Sequence, residues 1–126
     1  MKKKIIERLV DRSDENSFCS ALRCESCGKN WVSQRVKFSK ENVAPVTEGK
    51  KVVFSILYER ELEQAQQKAA QNASYYFNLC PICGKMVCND CFLLCEDLDM
   101  CKSCAEKLHE KGEPVYYRQT NDVIIG

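Results

Sequence analysis

The chain has 126 residues and a formal net charge of +1, with 44% hydrophobic and 29% charged residues. That length accommodates one folding unit and falls short of two comfortable ones, the composition is that of a soluble globular domain, and no stretch approaches the ~20 consecutive apolar residues of a membrane-spanning helix. Ten cysteines in 14.5 kDa are the anomaly, and something must bridge them.

The chain opens MKKKII, which resembles the start of an export signal, but Glu7, Arg8, Asp11 and Arg12 break the apolar run after two isoleucines. Lys2, Lys3 and Lys4 read as a solvated terminus, since one short basic cluster is a weak membrane anchor. A reducing cytoplasm is therefore the expected compartment, where thiols stay reduced. Cys19 stands alone. CESCGKNW then supplies the first C-x2-C couplet, Cys24 and Cys27, with Gly28 directly after it and Trp31 as a candidate lid over its apolar side. Arg23, Lys29, Arg35, Lys37 and Lys40 around this couplet could form a small basic patch.

Residues 45 to 79 form an insert. Pro45 and Gly49 mark a loop in SKENVAPVTEGKK, and the β-branched and aromatic KVVFSILY predicts a strand, although it could also begin the helix that comes after it. From Glu59 the positions Tyr58, Leu62, Ala65, Ala69, Ala73 and Tyr76 step by three or four, which predicts an amphipathic helix of about 19 residues. Glu59, Glu61 and Glu63 would complement the dipole at its first turn. Its alanine stripe is expected to pack on the chain's own strands, with a partner helix or a homodimer through this alanine-rich helix as the alternative. Tyr75, Tyr76 and Phe77 are the expected wedge that seats the cysteine-rich C-terminal segment against the helix end.

That segment begins with CPICGKMVCNDC, carrying the second couplet, Cys80 and Cys83, and the third, Cys88 and Cys91. Cys95 is unpaired, and EDLD at residues 96 to 99 reads as a solvated loop rather than an acid/base pair. CKSCAEKL completes the series with Cys101 and Cys104 entering a helix, on which His109 is expected to be exposed.

Four C-x2-C couplets in a reducing compartment read as thiolate ligands for two zinc ions, Cys24, Cys27, Cys80, Cys83, Cys88, Cys91, Cys101 and Cys104 in two tetrahedral four-sulfur sites. A two-residue gap lets the backbone curl into a knuckle that turns both sulfurs to one ion, and Gly28 and Gly84 suit the positive-φ exit of such a turn. A redox couplet of the thioredoxin kind needs one such pair near a βαβ pattern, not four. If Met86 and Val87 continue as a strand, Cys83 and Cys88 lie about 16 Å apart and cannot share an ion. Sequential matching (first with second, third with fourth) and crossed matching (first with third, second with fourth) both remain, with the crossed one favoured.

CPICGKMVCNDC followed by CKSCAEKL resembles the C-terminal half of a FYVE-type zinc finger: the CG after the second couplet, the four-residue gap, Val87 before the third couplet, and a last couplet leading into a helix. The resemblance implies a small zinc-stabilised α+β fold, a cross-braced treble clef carrying a long helical insert, in one domain over residues 1–126 with the finger at 80–111. Two features depart from the family. The linker between Cys27 and Cys80 is far longer than usual, and YYFNL replaces the basic stretch that holds phosphoinositide in FYVE domains. The chain looks closer to FYVE-related fingers that follow a long helix and bind protein, and to bacterial zinc-ribbon proteins of unknown role in which a helix runs into a CPxCG couplet.

Closed four-thiolate sites leave no coordination position for a reactive water, and no G-x-S-x-G, Gly-rich phosphate loop or H-E-x-x-H occurs. The expectation is a non-enzymatic module that contacts another protein. Charge argues against nucleic acid as the general partner: residues 1–58 carry 12 − 7 = +5, but the finger at 80–113 carries 4 − 7 = −3, the wrong sign for phosphate contacts. Nucleic-acid or phosphoinositide binding through the basic N-terminal half is the alternative. A RING-like ubiquitin-ligase adaptor is another, weakened by the absence of a histidine ligand.

Overall fold

A computed structural model describes residues 1–115 of the chain. The N-terminal helix α1 (Lys2–Arg8) leads into a set of short strands: β1 (Val10–Asp11), β2 (Ser17–Phe18), β3 (Ser20–Arg23), β4 (Asn30–Val32) and β5 (Val36–Lys37). A long helix α2 (Glu48–Ala73) separates these from β6 (Phe77–Leu79), β7 (Met86–Cys88), a 3₁₀ turn at Asn89–Cys91, β8 (Phe92–Cys95), β9 (Met100–Cys101), α3 (Lys102–Leu108) and β10 (Gly112–Pro114). Among the described residues all strand pairs are antiparallel, in two three-stranded sheets, β1-β3-β4 and β10-β8-β9, and two two-stranded ones, β2-β5 and β6-β7. The result is a small α+β fold.

The insert departs from the expected pattern at its start. KVVFSILY is helical, not a strand, and α2 begins eleven residues before the expected Glu59, at Glu48, with the Thr47 hydroxyl capping it by accepting the Lys50 N–H at 3.1 Å. The reason is the period of the contacts. Phe54, Tyr58 and Leu62 recur every four residues along the side that lines a cleft with residues 13–16 and Phe38, a spacing that a helix satisfies and a strand does not. Tyr58 joins Phe18 and Phe38 in an aromatic cluster with ring centroids 5.1 to 5.9 Å apart, and its hydroxyl donates to the Asp14 carbonyl oxygen at 2.8 Å. Gly49 thus lies in the first helical turn rather than in a loop.

The C-terminal half of α2 buries Ala69, Ala70 and Ala73. Small side chains there let α1 and β3 approach, and Ala70 and Ala73 join Ile5, Leu22, Phe77, Met86, Val87, Phe92, Met100 and Val115 in one continuous core. The alanine positions are taken up inside the chain. The three lysines of α1 are exposed as expected, but Ile5 beside them is fully buried, so the N-terminus is a docked helix. Of the aromatic wedge, Phe77 is buried, whereas Tyr75 and Tyr76 remain exposed beyond the helix end.

Candidate metal centres

Two hairpin turns share the sequence C-x-x-C-G-K and the same backbone. In the turn between β3 and β4, the Cys24 N–H donates to the Lys29 carbonyl at 2.9 Å and the Gly28 N–H to the Cys24 carbonyl at 3.0 Å. The turn between β6 and β7 repeats this with Cys80 to Lys85 and Gly84 to Cys80, both at 2.9 Å. Gly28 and Gly84 have φ of 81° and 76°, the left-handed region that glycine enters without strain. The remaining couplets also resemble each other. Cys88 closes β7 and Cys91 ends the 3₁₀ turn, while Cys101 closes β9 and Cys104 lies in the first turn of α3.

These four pieces assemble crosswise. Cys24, Cys27, Cys88 and Cys91 form one group and Cys80, Cys83, Cys101 and Cys104 the other, with all sulfurs of a group within 4.8 Å of one another. First couplet meets third and second meets fourth, because β7 carries the chain straight from one turn to the other group. Sulfur separations are 3.7 Å for Cys27–Cys88 and 3.8 Å for Cys88–Cys91, Cys80–Cys104 and Cys83–Cys101. A tetrahedron with bonds of ~2.3 Å has edges of about 3.8 Å. Both groups therefore have the dimensions of a four-thiolate zinc site, and the donor chemistry fits two ions of that kind.

Electrostatics lead to the same requirement. Burial pushes the Cys24 thiol up, but the N–H groups of Cys27, Cys88 and Ser26 outweigh it and bring it down to about 6. Cys80 is likewise raised by burial and brought down to about 6 by the N–H groups of Cys101, Cys83 and Ile82. Cys88 and Cys104 are pushed up to about 12 by burial and by the neighbouring sulfurs. Backbone N–H groups thus favour the Cys24 and Cys80 thiolates, while burial and the neighbouring sulfurs oppose ionisation of Cys88 and Cys104, a cost that a bound cation would offset.

Glu25 and Arg8 tie the two turns together, a link that spacing alone did not reveal. The Glu25 carboxylate accepts the Met86 N–H at 2.7 Å and the Arg8 Nε–H at 3.1 Å, the Glu25 N–H donates to the Met86 carbonyl at 2.9 Å, and Arg8 also donates to the Gly84 carbonyl at 3.1 Å. The only hint in the sequence is a carboxylate inside CESC where the second knuckle has Pro81.

Trp31 is half-buried and lines a small recess with Cys88, Tyr76 and Phe77, beside the first group. Cys19 is buried near Ser33, and Cys95 is half-buried on β8; neither belongs to a sulfur group. His109 is exposed and caps α3 with a φ of 57°. In the 96–99 segment, Asp99 accepts the Cys95 N–H at 3.0 Å and so closes the turn. Lys29 pairs with Asp90, Arg35 with Asp14 and Lys37 with Glu41, which divides the basic patch among acidic neighbours. No helix among the described residues is long and apolar enough to cross a membrane.

No protein-family model, curated protein or solved structure matches the chain.

Proposed function

We propose that the chain is a non-catalytic scaffold: a cross-braced treble clef of the FYVE-like kind, built on two structural zinc ions, that presents its long helix to another protein in a reducing compartment such as the cytoplasm. The observation carrying this reading is the crossed assembly of eight cysteines into two groups with tetrahedral sulfur spacing. Four sulfurs per ion complete the coordination shell, so each ion organises structure and leaves no place for a reactive water.

Phosphoinositide binding has little to draw on. The segment before Cys80 is YYFNL, and its Phe77 and Asn78 are buried. Nucleic-acid binding is weakened by the pairing of Lys29, Arg35 and Lys37 with carboxylates. The N-terminal half of α2 offers a different kind of surface, with Val52, Val53 and Ile56 exposed, and contiguous apolar exposure marks protein contacts.

Native mass spectrometry of protein purified under reducing conditions tests the scaffold. Two zinc ions per chain are expected, falling to one in Cys24→Ser and to one in Cys80→Ser. A folded chain that carries no metal, or one whose couplets are joined as disulfides in its native compartment, would overturn the reading. The protein-contact role is tested by affinity capture from the native cell, where loss of a captured partner on Ile56→Glu is expected and retention on that variant speaks against α2 as the contact.

A further inference from the structure

Each sulfur group has one cysteine exposed at the tip of its knuckle, Cys27 in one and Cys83 in the other. The groups differ beyond that tip. Cys91 in the Cys24 group is half-buried, whereas Cys101 and Cys104 in the Cys80 group are both buried, so solvent reaches the first group from both of its couplets and the second from one. Charge differs as well. Arg23 lines an open recess with Cys24, Ser26, Cys27 and Gly28, and its guanidinium lies against Gly28, with Nη2 3.0 Å from the place a Cβ would occupy. It makes no ion pair among the described residues. Leu79 stands at the matching position before Cys80, and a Cβ on Gly84 would meet nothing within 4 Å. Lys29 and Lys85 occupy matching positions and do not distinguish the knuckles, and Arg8, which reaches the Gly84 carbonyl, is neutralised by Glu25.

An accessible thiolate beside an unpaired cation is the setting in which a sulfur is oxidised selectively. We propose that the Cys24 group is an oxidant-responsive centre, in which a hydroperoxide joins Cys27 to Cys88 as a disulfide and the ion of that group is released while the Cys80 group keeps its own. The Cys27 thiolate attacks one peroxide oxygen and the O–O bond breaks. The departing alkoxide or hydroxide takes the electron pair and then a solvent proton, and Arg23 offsets the charge that builds on it. Cys88 Sγ, 3.7 Å from Cys27 Sγ, then attacks the sulfenic sulfur, forming the S–S bond as hydroxide leaves and is protonated to water. The two sulfurs give up two electrons, and the peroxide is the species reduced. Cys24 is the weaker second nucleophile, because the Ser26, Cys27 and Cys88 N–H groups hold its sulfur at 3.4, 3.4 and 3.2 Å. Only Cys24 and Cys91 are then left as thiolate ligands. The 3₁₀ turn that Cys91 ends also braces the end of α2, since Asn89 donates its backbone N–H to the Tyr76 carbonyl at 3.0 Å and its side-chain amide to the Tyr75 carbonyl at 2.9 Å. Oxidation thus loosens the hold of the finger on the helix, a regulation that rests on the scaffold reading.

The test treats the full zinc-loaded chain with hydrogen peroxide and follows it by native mass spectrometry, a colorimetric zinc indicator and peptide mapping of disulfides. One ion per chain should leave first, together with a single Cys27–Cys88 bridge, and dithiothreitol with added zinc should restore the two-ion species. Protection against hydrogen exchange should fall at residues 75–77 and 89–91 and persist at 101–108. Arg23→Gln, which alters no ligand, should release the first ion about threefold more slowly, within the worth of one exposed charge. A variant that merely loosened the fold would release it faster. Loss of both ions in one phase, a first loss from the Cys80 group, a first bridge other than Cys27–Cys88, or release from Arg23→Gln as fast as from the native chain overturns the proposal. A folded chain that holds no metal before peroxide is added overturns the scaffold reading instead.

Discussion

Glu25 holds the two knuckles in register through a single carboxylate, and its replacement separates acceptor from charge. The Met86 N–H it receives belongs to a fully buried residue, and orphaning a buried donor costs about 1–3 kcal/mol. Its pair with Arg8 is between side chains 39% and 30% exposed, so screening limits that share to about 0–1 kcal/mol. Glu25→Ala should therefore lower the unfolding free energy of the zinc-loaded protein by about 2 kcal/mol, and Glu25→Gln, which keeps an acceptor for Met86, by about half of that. Denaturant titration of the two variants decides the matter; equal losses would mean that charge, not the acceptor, dominates. Gly84 makes a simpler case. Its φ is 76° and an added Cβ meets nothing within 4 Å, so Gly84→Ala isolates left-handed strain and should cost about 1–2 kcal/mol by the same titration.

The elements differ in how plainly the sequence declared them. The couplets were legible because C-x2-C spacing has few chemical uses, and Met86 and Val87, which carry Cys88 away from Cys83 along β7, excluded one of the three matches but left the sequential and the crossed one to be told apart by the fold. The start of α2 was not, since a run apolar on all sides has no period to read and β-branched Val52 and Val53 favour the wrong element. The strands before it are two to four residues long, too short for alternation to register, and α1 depends on one buried residue, Ile5. The resemblance to FYVE-type fingers rested on residues 80–111 and was silent about the clamp formed by Arg8 and Glu25. The two faces of α2 nevertheless make a sharp prediction. Ala73 is fully buried, so Ala73→Leu overfills the contact with the core and should destabilise by about 1–3 kcal/mol. Val52→Ala on the exposed side should stay within about 0.5 kcal/mol in dilute protein. Thermal or denaturant unfolding of both variants at low concentration checks the assignment, and reversal of the order would mean that α2 is rotated from its described position.

At the scale of the whole molecule, the two metal centres are alike in donors and unlike in how the chain reaches them. The group built on Cys80 closes within the finger, its couplets separated by 18 positions from Cys83 to Cys101. The group built on Cys24 must bring together Cys27 and Cys88, 61 positions apart with α2 between them. Loop closure at this ratio of lengths costs the longer loop about 1 kcal/mol more. The far couplet of that group also sits on a single 3₁₀ turn with Cys91 half-buried, whereas Cys101 and Cys104 are both buried at the head of α3. Each structural zinc contributes an apparent ~10–16 kcal/mol, so neither ion is dispensable for the native fold, yet their loss need not be simultaneous. Titration with a strong chelator should remove the ion held by Cys24, Cys27, Cys88 and Cys91 first, leaving a one-zinc species in which the finger from Cys80 onward keeps its protection against hydrogen exchange while the N-terminal strands lose theirs. The second ion should leave only as the finger unfolds. Native mass spectrometry combined with hydrogen exchange resolves the order, and Cys80→Ser supplies the converse: with the local centre disabled, the long-range centre should bind its ion more weakly than it does in the intact chain, because β7 then lacks the anchor that holds Cys88 in place. Release of both ions in one step would show that β7 couples the centres too tightly for the difference in loop length to matter.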